Sequence, residues 1–222
     1  GSEMCIRDRF KEGAEETIYR ALAIRHMELP VGDFISNSLS EIPSTSKELL
    51  ESNIKDEIKH DLALGYITNA HGVDDKAEAE ALRLRDAWLS HPDHTVLKAL
   101  VIERAIFFVW LPFFRFNGDA GWATVSADIS RDEQVHVACN SLVSLELGLK
   151  PSASLDKLRK ATINWIMQPL GKHADKYLDK KFWLDASDRL MYEGKAPQLS
   201  GTKAARMPAF FEHDNRNLPQ YS

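Results

Sequence analysis

The chain is poor in the residues that build several common kinds of protein. Its 222 residues include two cysteines, Cys5 and Cys139. Two cannot make a disulfide framework or a four-cysteine zinc site, and the usage fits a reducing cytosol. No apolar run approaches the roughly 18 residues needed to cross a bilayer. The richest stretch, Ala105 to Phe114, is interrupted by Pro112 and closed by Arg115. No secretory signal is visible, and Gly1-Ser2 reads as a cloning scar. Basic residues are outnumbered, 28 against 33 acidic, for a net charge of -5. That balance argues against a general nucleic-acid binder and leaves room for a basic protein partner. There is no glycine-rich phosphate loop and no nucleophile elbow, so nucleotide binding by this chain is not supported. No run alternates as a strand would, and no segment repeats.

What remains is periodicity at helical spacing in a composition typical of a soluble globular domain. A first helix is expected over Ala14 to Leu29, resuming after Pro30-Val31-Gly32 as Phe34 to Leu39. Thr45-Ser46-Lys47-Glu48 reads as a capping box opening a long helix from Ser46 to about Asn69, with Gly72 as its stop. A charged helix, Ala77 to Leu89, reads as a solvated face. Val96 to about Phe114 is the most apolar helix, and Trp122 to Leu147 is another long one ended by Gly148. Leu155 to Gln168 and Ala174 to Leu190 complete the pattern. The expected fold is all-α, with four long helices as its core. Residues 1–13 read as a leader, 14–192 as the helical domain and 193–222 as an extended or mobile tail.

Two Glu-x-x-His units stand out, Glu57-Ile-Lys-His60 and Glu133-Gln-Val-His136. Residues three apart share a helix face, so each unit aims a carboxylate and an imidazole at one point. One such unit alone means little. Glu103, however, sits in Leu100-Val101-Ile102-Glu103-Arg104-Ala105-Ile106-Phe107-Phe108, where an uncompensated carboxylate is very costly. It must pair with Arg104, reach solvent or face a cation. Glu103 precedes Glu133 by thirty residues, and Glu28 precedes Glu57 by twenty-nine. The order Glu, Glu-x-x-His, Glu, Glu-x-x-His on four successive helices is the ligand pattern of a dimetal-carboxylate four-helix bundle. Four carboxylates balance two divalent ions, which removes most of the burial cost. Carboxylate and imidazole without thiolate suit iron or manganese. Glu16 and Asp33 compete with Glu28 for the first-helix position. Asp132 points about 100° away from Glu133, which suits a hydrogen bond to a ligating histidine or a surface pair with Arg131.

Ile129-Ser130-Arg131-Asp132-Glu133-x-x-His136, with Glu103-Arg104-Ala105-Ile106-Phe107-Phe108 upstream, resembles the radical-generating small subunit of class I ribonucleotide reductase. Phe34 to His60, including Ile42-Pro43, and the ending Phe210-Phe211-Glu212 followed by Tyr221 look similar too. The resemblance implies a ferritin-like helical core, a homodimer and a catalytic large subunit as partner. It implies that Glu28, Glu57, His60, Glu103, Glu133 and His136 hold two metals that activate oxygen. The resulting one-electron oxidant passes to the large subunit for ribonucleotide reduction. Asp132 would connect to His60 and start the electron path, and Tyr221 would relay toward the partner.

Three departures bear on that reading. The family's usual radical tyrosine position, four residues after His60, is Leu64, with Phe107 and Ile129 as expected pocket neighbours. Leucine cannot hold a radical, and Tyr66 is about 200° around the helix. Tyrosine-less relatives keep the oxidising equivalent on the metals, typically a manganese–iron pair, so Mn/Fe is expected ahead of Fe/Fe or Mn/Mn. No Trp precedes Trp88, whereas the family carries one near its start, and the chain stops straight after Tyr221. It is expected to be a shortened piece or a compact member, as from a virus. A stand-alone dimetal oxidase or oxygenase with an apolar pocket beside Leu64 is the alternative. A ferritin-like storage protein is a third reading. His26, His71, His91, His94 and His173 read as surface residues, Cys139 as a small buried apolar residue, and Trp165, Phe182 and Trp183 as packing.

Overall fold

In the computed structural model, residues 10–199 are described. They are almost wholly helical. Among them, the only β-type pairing is an isolated bridge between Phe10 and Gly118. Helix α1 spans Glu15–Ala23, α2 Glu28–Ser38, α3 Ser44–His71, α4 Asp75–Ser90 and α5 Thr95–Ile102. A π-helical turn, Glu103–Phe107, leads into α6, Phe108–Asn117. Helix α7 spans Ala120–Glu146, α8 Ala153–Met167 and α9 Lys180–Glu193. Among these residues, no helix is long and apolar enough to cross a membrane.

Four helices make the core. Helix α2 packs on α3 and α5, α3 packs on α7, and α7 packs on α5 and α6. The pairs therefore close a ring. Helices α1, α4, α8 and α9 lie outside it, with α1 against α4 and α8, and α9 against α6, α8 and the π turn.

The inward stripes of α3 and α7 explain why this ring encloses something polar. Leu50, Asn53, Glu57, His60, Leu64 and Ile67 are buried along α3 at alternating spacings of three and four. Trp122, Ser126, Ile129, Glu133, His136, Asn140 and Val143 do the same along α7. The ends of each stripe are apolar and the middle is ionisable. Each helix thus buries a face that hydropathy alone would not mark as buried.

The first helix breaks elsewhere than Pro30. A 3-10 turn, Ile24–Met27, separates α1 from α2, and Pro30 lies in the first turn of α2. Proline is tolerated there because first-turn N–H groups have no partner within the helix. Glu28 thereby opens α2 instead of ending the preceding helix. Gly32, one turn later, lets α2 approach α3: a Cβ there would lie 3.5 Å from that of Glu57.

Two further boundaries move. Helix α3 begins at Ser44 with Pro43 as its cap and no side-chain cap bond; the Thr45 side chain lies outside the described residues. Ala174 to Leu190 is not one helix but a 3-10 turn, Lys176–Leu178, followed by α9. Asp175 accepts the Tyr177 N–H, and Asp179 accepts those of Lys181 and Phe182. Two caps in succession start two separate elements. Gly72 does end α3, in the left-handed region at φ 80°.

Candidate metal centre

Glu28, Glu57, His60, Glu103, Glu133 and His136 converge inside the ring, and none is more than 3% exposed. They form two groups of four. Glu28, Glu57, His60 and Glu133 offer ligand atoms within 4.8 Å of one another, and so do Glu57, Glu103, Glu133 and His136. Either group could hold a metal ion. Glu57 and Glu133 belong to both. Of the competitors for the first-helix position, Glu16 is exposed and paired with Arg20, and Asp33 is exposed.

The inner atoms face each other without hydrogen-bonding. His60 Nδ1 lies 3.6 Å from Glu28, 3.5 Å from Glu57 and 3.3 Å from Glu133. His136 Nδ1 lies 3.0 Å from Glu57, 3.5 Å from Glu133 and 3.7 Å from Glu103. Yet, among the described residues, both oxygens of Glu28, Glu57 and Glu133, one of Glu103, and both Nδ1 atoms have no hydrogen-bond partner. Buried polar atoms are nearly always satisfied. Lone pairs aimed at a common centre are satisfied by cations, and oxygen with imidazole nitrogen is a donor set for iron or manganese.

The outer atoms are anchored. His60 Nε2 donates to Asp132 over 3.1 Å, and His136 Nε2 donates to Asp56 over 3.4 Å. Donation from Nε2 leaves Nδ1 bare toward the centre, the tautomer a metal requires. The bonds cross: the aspartate before each glutamate holds the histidine of the other helix. Arg131 instead pairs with Asp128. Sequence reasoning missed Asp56, although Asp56-Glu57-x-x-His60 repeats Asp132-Glu133-x-x-His136. It also missed Asn140, one turn after His136, which donates to Glu103 over 2.6 Å.

Glu103 does not pair with Arg104. It opens the π turn, where the Phe108 N–H reaches back five residues to the Glu103 carbonyl. Such single wide turns recur at functional sites. Arg104 leaves in another direction and donates from Nε to the Leu190 carbonyl over 2.7 Å.

Without a cation this cluster holds protons. Burial pushes the carboxyl of Glu28 well above its usual value, and burial with the charge of Glu133 does the same to Glu103. Burial acts upward on Glu57 as well, but the His136 and His60 imidazoles prevail and hold it at about 2. Burial alone would strip the histidines. The carboxylates outweigh it, holding His60 far above its usual value and His136 at about 11. Ligation must displace those protons. Metal binding should therefore release a measurable number of protons as both groups fill. Affinity should rise with pH, because protons compete for Glu28, Glu103, His60 and His136. Calorimetric titration in buffers of different ionisation enthalpy reads that number; binding without proton release would contradict the ligand set.

The other sequence candidates stand apart. Leu64, Phe107 and Ile129 are buried in the same core, with Leu64 one turn beyond His60. Tyr66 is 67% exposed. His26 contacts Glu78, His94 contacts Glu41, His91 contacts Ser154, and His173 accepts the Asp175 N–H, all away from the cluster. His71 packs against Phe10 and Trp122. Cys139 is buried and belongs to neither group. Tyr221 and the Phe210-Phe211-Glu212 ending lie outside the described residues.

No protein-family model, curated protein or solved structure matches the chain.

Proposed function

We propose that the chain is a ferritin-like dimetal-carboxylate protein that generates a one-electron oxidant, acting as the small subunit of a ribonucleotide reductase. The observation that carries the dimetal part is the sharing of Glu57 and Glu133 between two adjacent four-ligand groups. Two carboxylates common to both groups are what a pair of neighbouring cations needs, since a lone ion would use only one group. Bound iron or manganese would supply one-electron oxidation after reaction with oxygen or a reduced oxygen species.

The chain's own residues support the remaining steps. The six side chains are closed off from solvent, which suits reaction with a small oxidant such as oxygen. Leu64, 1% exposed, has no readily oxidised group, so it would not take oxidising capacity from metals held beside it. Asp132 links the closed interior to the outside: its side chain is 46% exposed, whereas that of His60 is 4% exposed. The partner reading rests on the Ser130-Arg131-Asp132-Glu133-x-x-His136 resemblance.

Metal-loaded protein should stimulate deoxyribonucleotide formation when mixed with a cognate large subunit. Asp132→Ala should retain its metals while losing about 10- to 100-fold of that activity, the usual effect of removing a carboxylate that orients a ligating histidine. No stimulation by any large subunit would overturn the partner assignment. It would favour a stand-alone oxidase, for which the apolar surroundings of Leu64 are the specific support. A large iron-mineral shell on size-exclusion chromatography would favour storage over both.

A further inference from the structure

Away from the six ligands, a half-open cleft of about 280 Å³ lies between α5, α7 and α9. Its walls are aliphatic, with Leu97, Leu100 and Val101 from α5, Leu149 after α7 and Met191 from α9. Two polar groups interrupt them. Among the described residues, Arg104 lines the cleft with no carboxylate partner, and its one hydrogen bond, from Nε, goes to the Leu190 carbonyl. Ser144 lines it too, 5% exposed, with a hydroxyl that has no hydrogen-bond partner among the described residues. Each departs from the ordinary. Charges drawn out of water are normally paired, and buried hydroxyls are normally bonded. Leu145, on the rim, is left 76% exposed.

The guanidinium is held in place from behind. A Cβ on Gly194, which ends α9 at φ 71°, would come within 2.8 Å of Arg104 Nη2. The absent side chain lets the Arg104 fork lie against the backbone there. With Nε engaged, the fork keeps donors for an anion, and arginine matches a carboxylate in two-point fashion.

We propose that this cleft binds an amphipathic monocarboxylate, its carboxylate on Arg104 and the Ser144 hydroxyl and its aliphatic tail along Leu97, Leu100, Val101 and Met191. At the roughly 30 Å³ a water-sized group occupies in a condensed phase, the cleft accommodates about nine such groups. An eight-carbon acid matches that size, and its tail would cover Leu145. The site contains none of the six metal ligands, so it stands or falls independently of the dimetal reading. Arg104 follows Glu103 in sequence, and Ser141, also on the cleft wall, follows Asn140. An occupant would thus lie one residue from the hydrogen bond that holds Glu103.

The test is titration of the full chain with octanoate, octanol and octyltrimethylammonium, followed by calorimetry and by chemical-shift changes of the Met191 methyl. Octanoate should bind saturably, the alcohol at least tenfold more weakly, and the cation not at all. Arg104→Gln should lose at least tenfold, and Arg104→Lys should recover part of the loss. Because Arg104 also caps α9, Ser144→Ala provides a second variant, expected to weaken octanoate severalfold with an unchanged melting curve. Octanol binding as well as octanoate, or no saturable octanoate binding, would overturn the assignment. So would equal octanoate affinity in wild-type, Arg104→Gln and Ser144→Ala protein.

Discussion

Glu57→Ala or Glu133→Ala should empty both metal positions at once, whereas Glu28→Ala or Glu103→Ala should empty one. Elemental analysis of reconstituted protein should fall from about two ions per chain to near none in the first pair and to about one in the second. The asymmetry follows from membership: Glu57 and Glu133 serve both groups, Glu28 and Glu103 one each. His60→Ala should behave like Glu28→Ala, and His136→Ala like Glu103→Ala, since each histidine belongs to a single group. Four equal losses would mean that the ions, if bound, are not arranged around shared carboxylates. Full retention in the Glu57 and Glu133 variants would remove the centre altogether.

Metal loading should also raise the melting temperature by more than any single substitution on the surface. A ligand that binds only the folded state at about 1,000 times its dissociation constant adds about 4 kcal/mol, so two such ions add about 8. For a chain of this size each kcal/mol is worth about 2–4 °C, which predicts a rise of about 15–30 °C, reversed by chelation. The physical source is the buried charge. Four carboxylates and two imidazoles, mostly without hydrogen-bond partners, destabilise the metal-free fold. Replacing Glu103 by Leu should accordingly raise the melting temperature of metal-free protein while abolishing about half of the gain on loading, since one of the two groups remains intact. Differential scanning calorimetry reads both. Identical midpoints with and without metal would rule out ligation by these six side chains.

The local part of this arrangement is legible in the amino-acid sequence. Glu-x-x-His spacing on a helix decides that Glu57 and His60, or Glu133 and His136, share a face. A lone carboxylate in the apolar run around Glu103 predicts a compensating charge. Other residues were ambiguous for a physical reason. Pro30 looks like the end of a helix, but it also fits a first turn, and only the 3-10 turn before Glu28 decides between them. Asp56 sits about 100° around α3 from Glu57, a direction that is solvent for an isolated helix. With α7 packed alongside, the same direction leads to His136. Asn140 and Arg104 share that difficulty, because what each meets belongs to another helix or to the π turn.

By itself, the order of residues determined most of the helices and the pairing of Glu57 with His60 and of Glu133 with His136 one turn away. Those follow from a fixed 3.6-residue period acting within a single element. Tertiary structure decided which carboxylates serve two groups, which aspartate holds which histidine, and where Arg104 is left without a counter-charge among the described residues. Those depend on how closely helices approach, as at Gly32 beside Glu57, and distances between elements are not encoded in the spacing along any one of them.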